Sequence, residues 1–173
     1  MNKNVLLYSL LLIQFIIVNP SLAQTQISNQ DFASLAGNWS GSLTYLNYSS
    51  DDLYTLPAEL KVVNDKKADK VIFYISFPEE PHANTIDTLS ISEDGTLLEG
   101  EHVISKNKLD NGSLEIVTEI TGTDGNDDKL AVIKHIYAIG HKNFLLQKKV
   151  RFIEGGDWIT RNEFNFIKDP ESK

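Results

Sequence analysis

Leu35-Ala36-Gly37-Asn38-Trp39-Ser40-Gly41-Ser42-Leu43-Thr44-Tyr45 is the stretch that decides how this chain is read. In an extended strand, successive side chains point to opposite faces. Trp39, Gly41, Leu43 and Tyr45 then share one face, and Asn38, Ser40, Ser42 and Thr44 share the other. An apolar face opposite a small polar one is the pattern of a strand with one side in a core. Gly41 stands on the apolar side, where a glycine marks a bend or the close approach of another group.

Upstream, Ser28-Asn29-Gln30-Asp31 has capping-box spacing and predicts a short helix from about Asn29 to Ala36, with Phe32 and Leu35 on one face. Further upstream, Lys3 precedes an apolar run from Val5 to Val18, and Ser21-Leu22-Ala23 follows as a small-x-small cleavage site. Residues 1–23 read as a secretory signal peptide, and the run is short for a membrane span. The protein is expected to be exported, periplasmic or secreted, after cleavage near Ala23. Without residues 1–23 the chain keeps 15 Lys and Arg against 24 Asp and Glu, a formal charge of −9. An acidic surface of this kind argues against nucleic acid and anionic membranes as partners. There is no cysteine, so the core alone must hold the domain together.

Downstream, alternation predicts strands over Leu56–Val63, Lys70–Phe77, Thr85–Ser92, Thr96–Ser105, Ser113–Gly122, Lys129–Ile139, Phe144–Phe152 and Trp158–Ile167. Asp94-Gly95 and Asn111-Gly112 are hairpin turns. Pro57 has no N–H and is expected at the start of its strand or at an unpaired position. The expected domain is residues 24–168, followed by a disordered tail at 169–173. The fold class is all-β: a single up-and-down antiparallel β-barrel of about 8–10 strands with a short N-terminal helix.

Gly37-Asn38-Trp39, a G-x-W on an opening strand after a short helix, resembles the lipocalins and their calycin relatives. The resemblance implies that Trp39 plugs the closed end of the barrel and that Arg161, from the last strand, packs across its ring. It also implies a small hydrophobic or amphipathic ligand inside the barrel. One feature departs from the family: Arg161 falls on the strand face opposite Trp158, Phe164 and Phe166.

Residue chemistry leaves few alternatives. His82 and His141 fall in loops, and no G-x-S-x-G elbow accompanies a histidine, so a hydrolase triad is disfavoured. Asp124-x-Asn126-x-Asp128 opens like a calcium loop, but it lacks the glycine and the closing glutamate. Glu99 and Glu101 share a strand face and read as its wet side. His102 and His135 sit among apolar neighbours and become ligand contacts only if both enter one cavity. The expected ligand-lining residues are Tyr45, Phe73, Ile75, His135, Tyr137, Phe144 and Phe164, with Trp39 and Arg161 structural. No cofactor or metal is called for, and a monomer is expected. The alternatives are a cell-envelope interaction protein with a filled barrel and an outer patch such as Ile72 and Tyr74, or a small lipid-modifying enzyme. The enzyme would need a histidine and a carboxylate within hydrogen-bond reach in a cavity.

Overall fold

The computed structural model describes residues 25–65 and 70–170. The expected signal segment, residues 1–23, and residues 171–173 of the expected tail lie outside the described residues. Ten strands form: β1 (Gly37–Asn47), β2 (Asp52–Asp65), β3 (Lys70–Ser76), β4 (Thr85–Leu89), β5 (Leu97–Leu98), β6 (Glu101–Lys108), β7 (Leu114–Asp124), β8 (Lys129–Ile139), β9 (Asn143–Phe152) and β10 (Ile159–Lys168). They lie in the order β4-β3-β2-β1-β10-β9-β8-β7-β6-β5, with every ladder antiparallel. The outermost strands approach each other through an Ile91–Leu98 bridge. Glu99 N–H donates to the Ser90 carbonyl at 2.8 Å there, and Ser92 N–H donates to the Leu97 carbonyl at 3.1 Å. The sheet is a nearly closed up-and-down barrel.

Three local features differ from the sequence reading, each for a definable reason. The expected strand Thr96–Ser105 is two strands. Glu99 and Gly100 both take positive φ, 54° and 78°, and make the two-residue hairpin that joins β5 to β6. Glutamate is a poor advertisement for that turn, so the sequence hid it. β2 starts at Asp52 and runs through Pro57, because its ladder to β3 begins only at Glu59 and leaves one side of β2 unpaired before that point. The last strand extends to Lys168. Asp169, expected in a disordered tail, donates its N–H to the Asn38 carbonyl at 2.9 Å and accepts from Ser40 Oγ at 2.7 Å.

One end of the barrel is closed by the short helix and the side chains packed beneath it. Asn29–Leu35 is a 3-10 helix with its capping box formed: Asp31 accepts from Ser28 N–H at 2.8 Å. Phe32 and Leu35 are fully buried beneath it. Trp39 is buried too, and its Nε1–H donates to the Leu35 carbonyl at 2.8 Å, which satisfies the one polar atom of the indole. Phe144 stacks on Phe166 at 6.2 Å and meets Trp39 and Phe73 edge-on, while Phe32 meets Tyr137 edge-on at 6.0 Å. Gly41 is where β1 and β10 crowd each other: a Cβ there would lie 2.0 Å from the Asn165 carbonyl oxygen.

Candidate functional site at the mouth of the barrel

Strand register places one polar side chain beside another along the inner face. Thr118 of β7 pairs with His135 of β8, His135 with Lys148 of β9, Lys148 with Asn162 of β10, and Asn162 with Tyr45 of β1. The inner residues toward the closed end from these positions are apolar: Ile116, Tyr137, Leu146, Phe164 and Leu43. The interior therefore changes character at one level, from a packed apolar floor to a polar belt.

The belt is held by specific bonds. Glu101, the first residue of β6, accepts from Thr118 Oγ1 at 2.5 Å and shares the same oxygen with His135 Nδ1 at 2.8 Å. Burial pushes the Glu101 carboxyl up. The hydrogen bonds from His135 and Thr118 and the charges of His135 and Lys148 outweigh that and leave it below its ordinary value. Lys148 Nζ sits 2.6 Å from Asp124 Oδ1, and Tyr48 O–H donates to Asp124 Oδ2 at 2.6 Å. Burial again opposes, but Lys148, Tyr48 and the Arg161 charge hold the Asp124 carboxyl low. Burial and the bond to Asp124 push the Tyr48 phenol up; burial and the charges of Glu101 and Glu99 do the same to Tyr137. Both phenols stay neutral. These groups face inward yet keep contact with solvent: the side chains of His135 and Lys148 are 26% and 22% exposed. Leu43, Tyr45, Leu146 and Phe164, on the same inner face, are also only partly buried. The far wall of the mouth is the stacked pair Tyr45 and Tyr54, 5.8 Å apart.

The expected ligand-lining residues thus divide. Phe73, Ile75, Tyr137 and Phe144 are buried in the floor, in contact with other core side chains, whereas Tyr45, His135 and Phe164 border the open part. His102 does not join His135: it is exposed and pairs with outward-facing Glu119. Arg161 does not reach Trp39. It is the extra residue of a bulge between Thr160 and Asn162, which places it at the mouth. Its guanidinium lies 4.5 Å from the Tyr48 ring centre and bonds the Leu46 carbonyl. The cation over Trp39 is Lys168, 5.1 Å from the ring centre, with its Nζ donating to the Ser34 carbonyl at 2.8 Å.

Glu101, Thr118, Lys148 and Asp124 were not singled out from the sequence as site residues. Alternation puts Glu101 with Glu99 on the wet face of one strand, and the hairpin at Glu99-Gly100 dissolves that face. Lys148 stands in the alternation of an inner face, between Leu146 and Val150, and was the one legible signal. Among the described residues, no group of three His, Asp or Glu side chains converges as a metal centre requires.

Neither a protein-family model nor a curated protein matches the sequence. Among solved structures, the chain is similar to a protein of unknown function from the DUF3598 family of Nostoc punctiforme PCC 73102, at 13% identity and a TM-score of 0.43. That match covers 83% of this chain and 50% of the other, so this chain spans half of that protein's length. It is also similar to Rv2717c from M. tuberculosis, at 12% identity and a TM-score of 0.47, over 84% of this chain and all of that one. A calycin-like barrel fits this architecture coarsely, and no family match names a lipocalin.

Proposed function

We propose that this is an exported, monomeric barrel protein that binds one small amphipathic molecule in the mouth of its barrel. One observation carries the reading: Leu43, Tyr45, Leu146, Phe164, His135 and Lys148 all face inward and yet remain partly exposed. Inward-facing apolar surface left in contact with water, edged by a few fixed polar groups, is what a small-molecule site offers. The apolar part of the ligand would rest on Leu146 and Phe164 against Tyr45, and its polar end would meet the belt. Export rests on the leader-like segment ahead of Gln24. The test is titration with N-phenyl-1-naphthylamine, an apolar dye whose fluorescence rises on leaving water. The dye should bind the wild type, and Leu146→Trp, which fills the mouth, should abolish binding without lowering the melting temperature. A dye signal unchanged by Leu146→Trp would refute the site.

The envelope-interaction reading has one observation of its own. Tyr74 and Ile86 are register partners on the outer face of β3 and β4, and both are exposed. That reading gains if the dye fails to bind. The enzyme reading needs a histidine and a carboxylate within hydrogen-bond reach in a cavity, and His135 and Glu101 supply the hydrogen-bond distance alone.

A further inference from the structure

We infer that the free edge of β4 takes up an extended segment of a partner protein as an added strand, one with Lys or Arg at inward positions and apolar residues at outward ones. The inference goes beyond the ligand-binding reading and does not depend on it.

The backbone makes the case first. β4 is one end of the sheet and, among the described residues, has a ladder to β3 alone. From Ser90 onward the chain is bonded to the β5 side, where Glu99 N–H donates to the Ser90 carbonyl and Ser92 N–H to the Leu97 carbonyl. Over Thr85–Leu89 that side makes no backbone bond among the described residues. β7 is in the same condition. Its ladder to β6 stops at the Glu119–His102 pair, so Ile120–Asp124 pair with β8 only. β5 and β6 stand between β4 and β7 in the order of the sheet, and both end at the Glu99-Gly100 hairpin. Toward the mouth from that hairpin, the barrel wall has a notch. Exposure agrees with this. Thr85 and Asp87 face inward, as register partners of the buried Ile75 and Phe73, yet both are exposed. Ile120, register partner of the buried Ile133, is 37% exposed. An uncovered strand edge is a template for backbone pairing with another extended chain.

The side chains define the occupant. On the outer face of the edge, Ile86 is 66% exposed beside its register partner Tyr74, which is exposed too. An apolar residue in the added strand extends that pair across a new ladder. On the inner face, Asp87 Oδ1 accepts from Thr85 Oγ1 at 3.3 Å, and Glu99, at the floor of the notch, accepts from Ser90 N–H. Glu119 and Asp124 are bound to Lys134 and Lys148, and Glu101 to His135. Asp87 and Glu99 have no cation bound to them among the described residues. An inward-pointing charge on an edge strand turns away a like strand. Asp87 is the central residue of β4, so a second copy added antiparallel about that centre would set Asp87 against Asp87. The full chain's formal charge of −8 adds to that repulsion. A Lys or Arg opposite Asp87 turns the same charge into a cross-strand attraction. The occupant is therefore a basic segment of a different protein.

The experiment titrates the protein with a blocked heptapeptide of alternating valine and lysine, read by calorimetry and by amide hydrogen exchange in NMR spectra. The peptide should bind and slow exchange at amides within Thr85–Leu89. The same peptide with glutamate in place of lysine should bind about fivefold or more weakly. Asp87→Lys, at an exposed position, should reverse that order without shifting the melting temperature. Failure of the lysine peptide to bind would overturn the inference, and this result needs no variant to fold. Equal binding of the two peptides to the wild type would overturn it as well, as would slowed exchange elsewhere in place of Thr85–Leu89. If exchange at Thr85–Leu89 slows with rising protein concentration and no peptide, a second copy takes the edge, and the inference is again overturned. The dye titration decides the ligand-binding reading separately, whichever of these results is found.

Discussion

At the closed end of the barrel, ring meets ring; at the mouth, charge meets charge. Trp39, Phe32, Phe73, Phe144 and Phe166 fill the first region and exclude water almost entirely. Glu101, His135, Lys148, Asp124 and Arg161 occupy the second and keep partial contact with water. Both regions are built by the same strands, from side chains a few positions apart on one face. Partly buried charge pairs are weak stabilisers, because their desolvation cost consumes the attraction, and apolar residues of similar size would hold a barrel at least as well. The closed end is what folding requires. The mouth is what folding alone would not select.

That contrast is open to direct attack. The largest expected effect is at the closed end: Trp39→Ala should cost about 3–5 kcal/mol, the range for a deleted buried aromatic, seen as a lowered urea midpoint. A midpoint near wild type would mean that the indole is not the plug. Next comes Gly41→Val. Its new side chain meets backbone of β10 that has nowhere to go, and a loss of about 1–3 kcal/mol is expected by the same measurement.

The third test addresses the mouth through acid. Glu101 and Asp124 are held below ordinary carboxylate values when folded, so the unfolded chain binds protons more readily than the folded one. Their contribution to stability is complete above the unfolded carboxylate value of about 4 and is lost as pH falls through their folded values. In Glu101→Gln with Asp124→Asn, the urea midpoint should fall less steeply below about pH 4 than in wild type. An identical slope would show that the belt is not assembled in solution. The smallest effect is expected at Lys168→Met, which removes a cation from the Trp39 ring at a cost of about 0.5–1 kcal/mol. Arg161→Met should leave the indole fluorescence of Trp39 unchanged, since Arg161 is at the other end.

These positions also show how far the sequence could be read. Trp39 and Gly41 were legible because their chemistry is local: an apolar face, and a glycine where a side chain would fit by pattern but not by space. The hairpins at Asp94-Gly95 and Asn111-Gly112 were legible for the same reason. Arg161 and Glu101 were not. Alternation carries a residue's face along a strand only while each step is one residue against one. An extra residue at Arg161 and another at Ile104, together with the turn at Glu99-Gly100, each reset that count. All three lie beside the mouth. The part of the chain that departs from strand periodicity is the part where the candidate site is built.

The strand order has a kinetic consequence. Every pair of neighbours in the sheet is consecutive along the chain except β1 and β10. Two meanders, β1 to β4 and β5 to β10, can each zip through local hairpins on the microsecond scale. Only the β1–β10 ladder must gather residues from opposite ends of the domain, from Trp39 to Lys168. The entropy of closing that long loop falls on this one step. Refolding in a stopped-flow instrument should therefore slow when rungs of β1–β10 are weakened, as by Gly41→Val. Damage of equal size in the β7–β8 hairpin should instead appear as faster unfolding. The clasp that holds the indole plug in place would then also set the pace of folding.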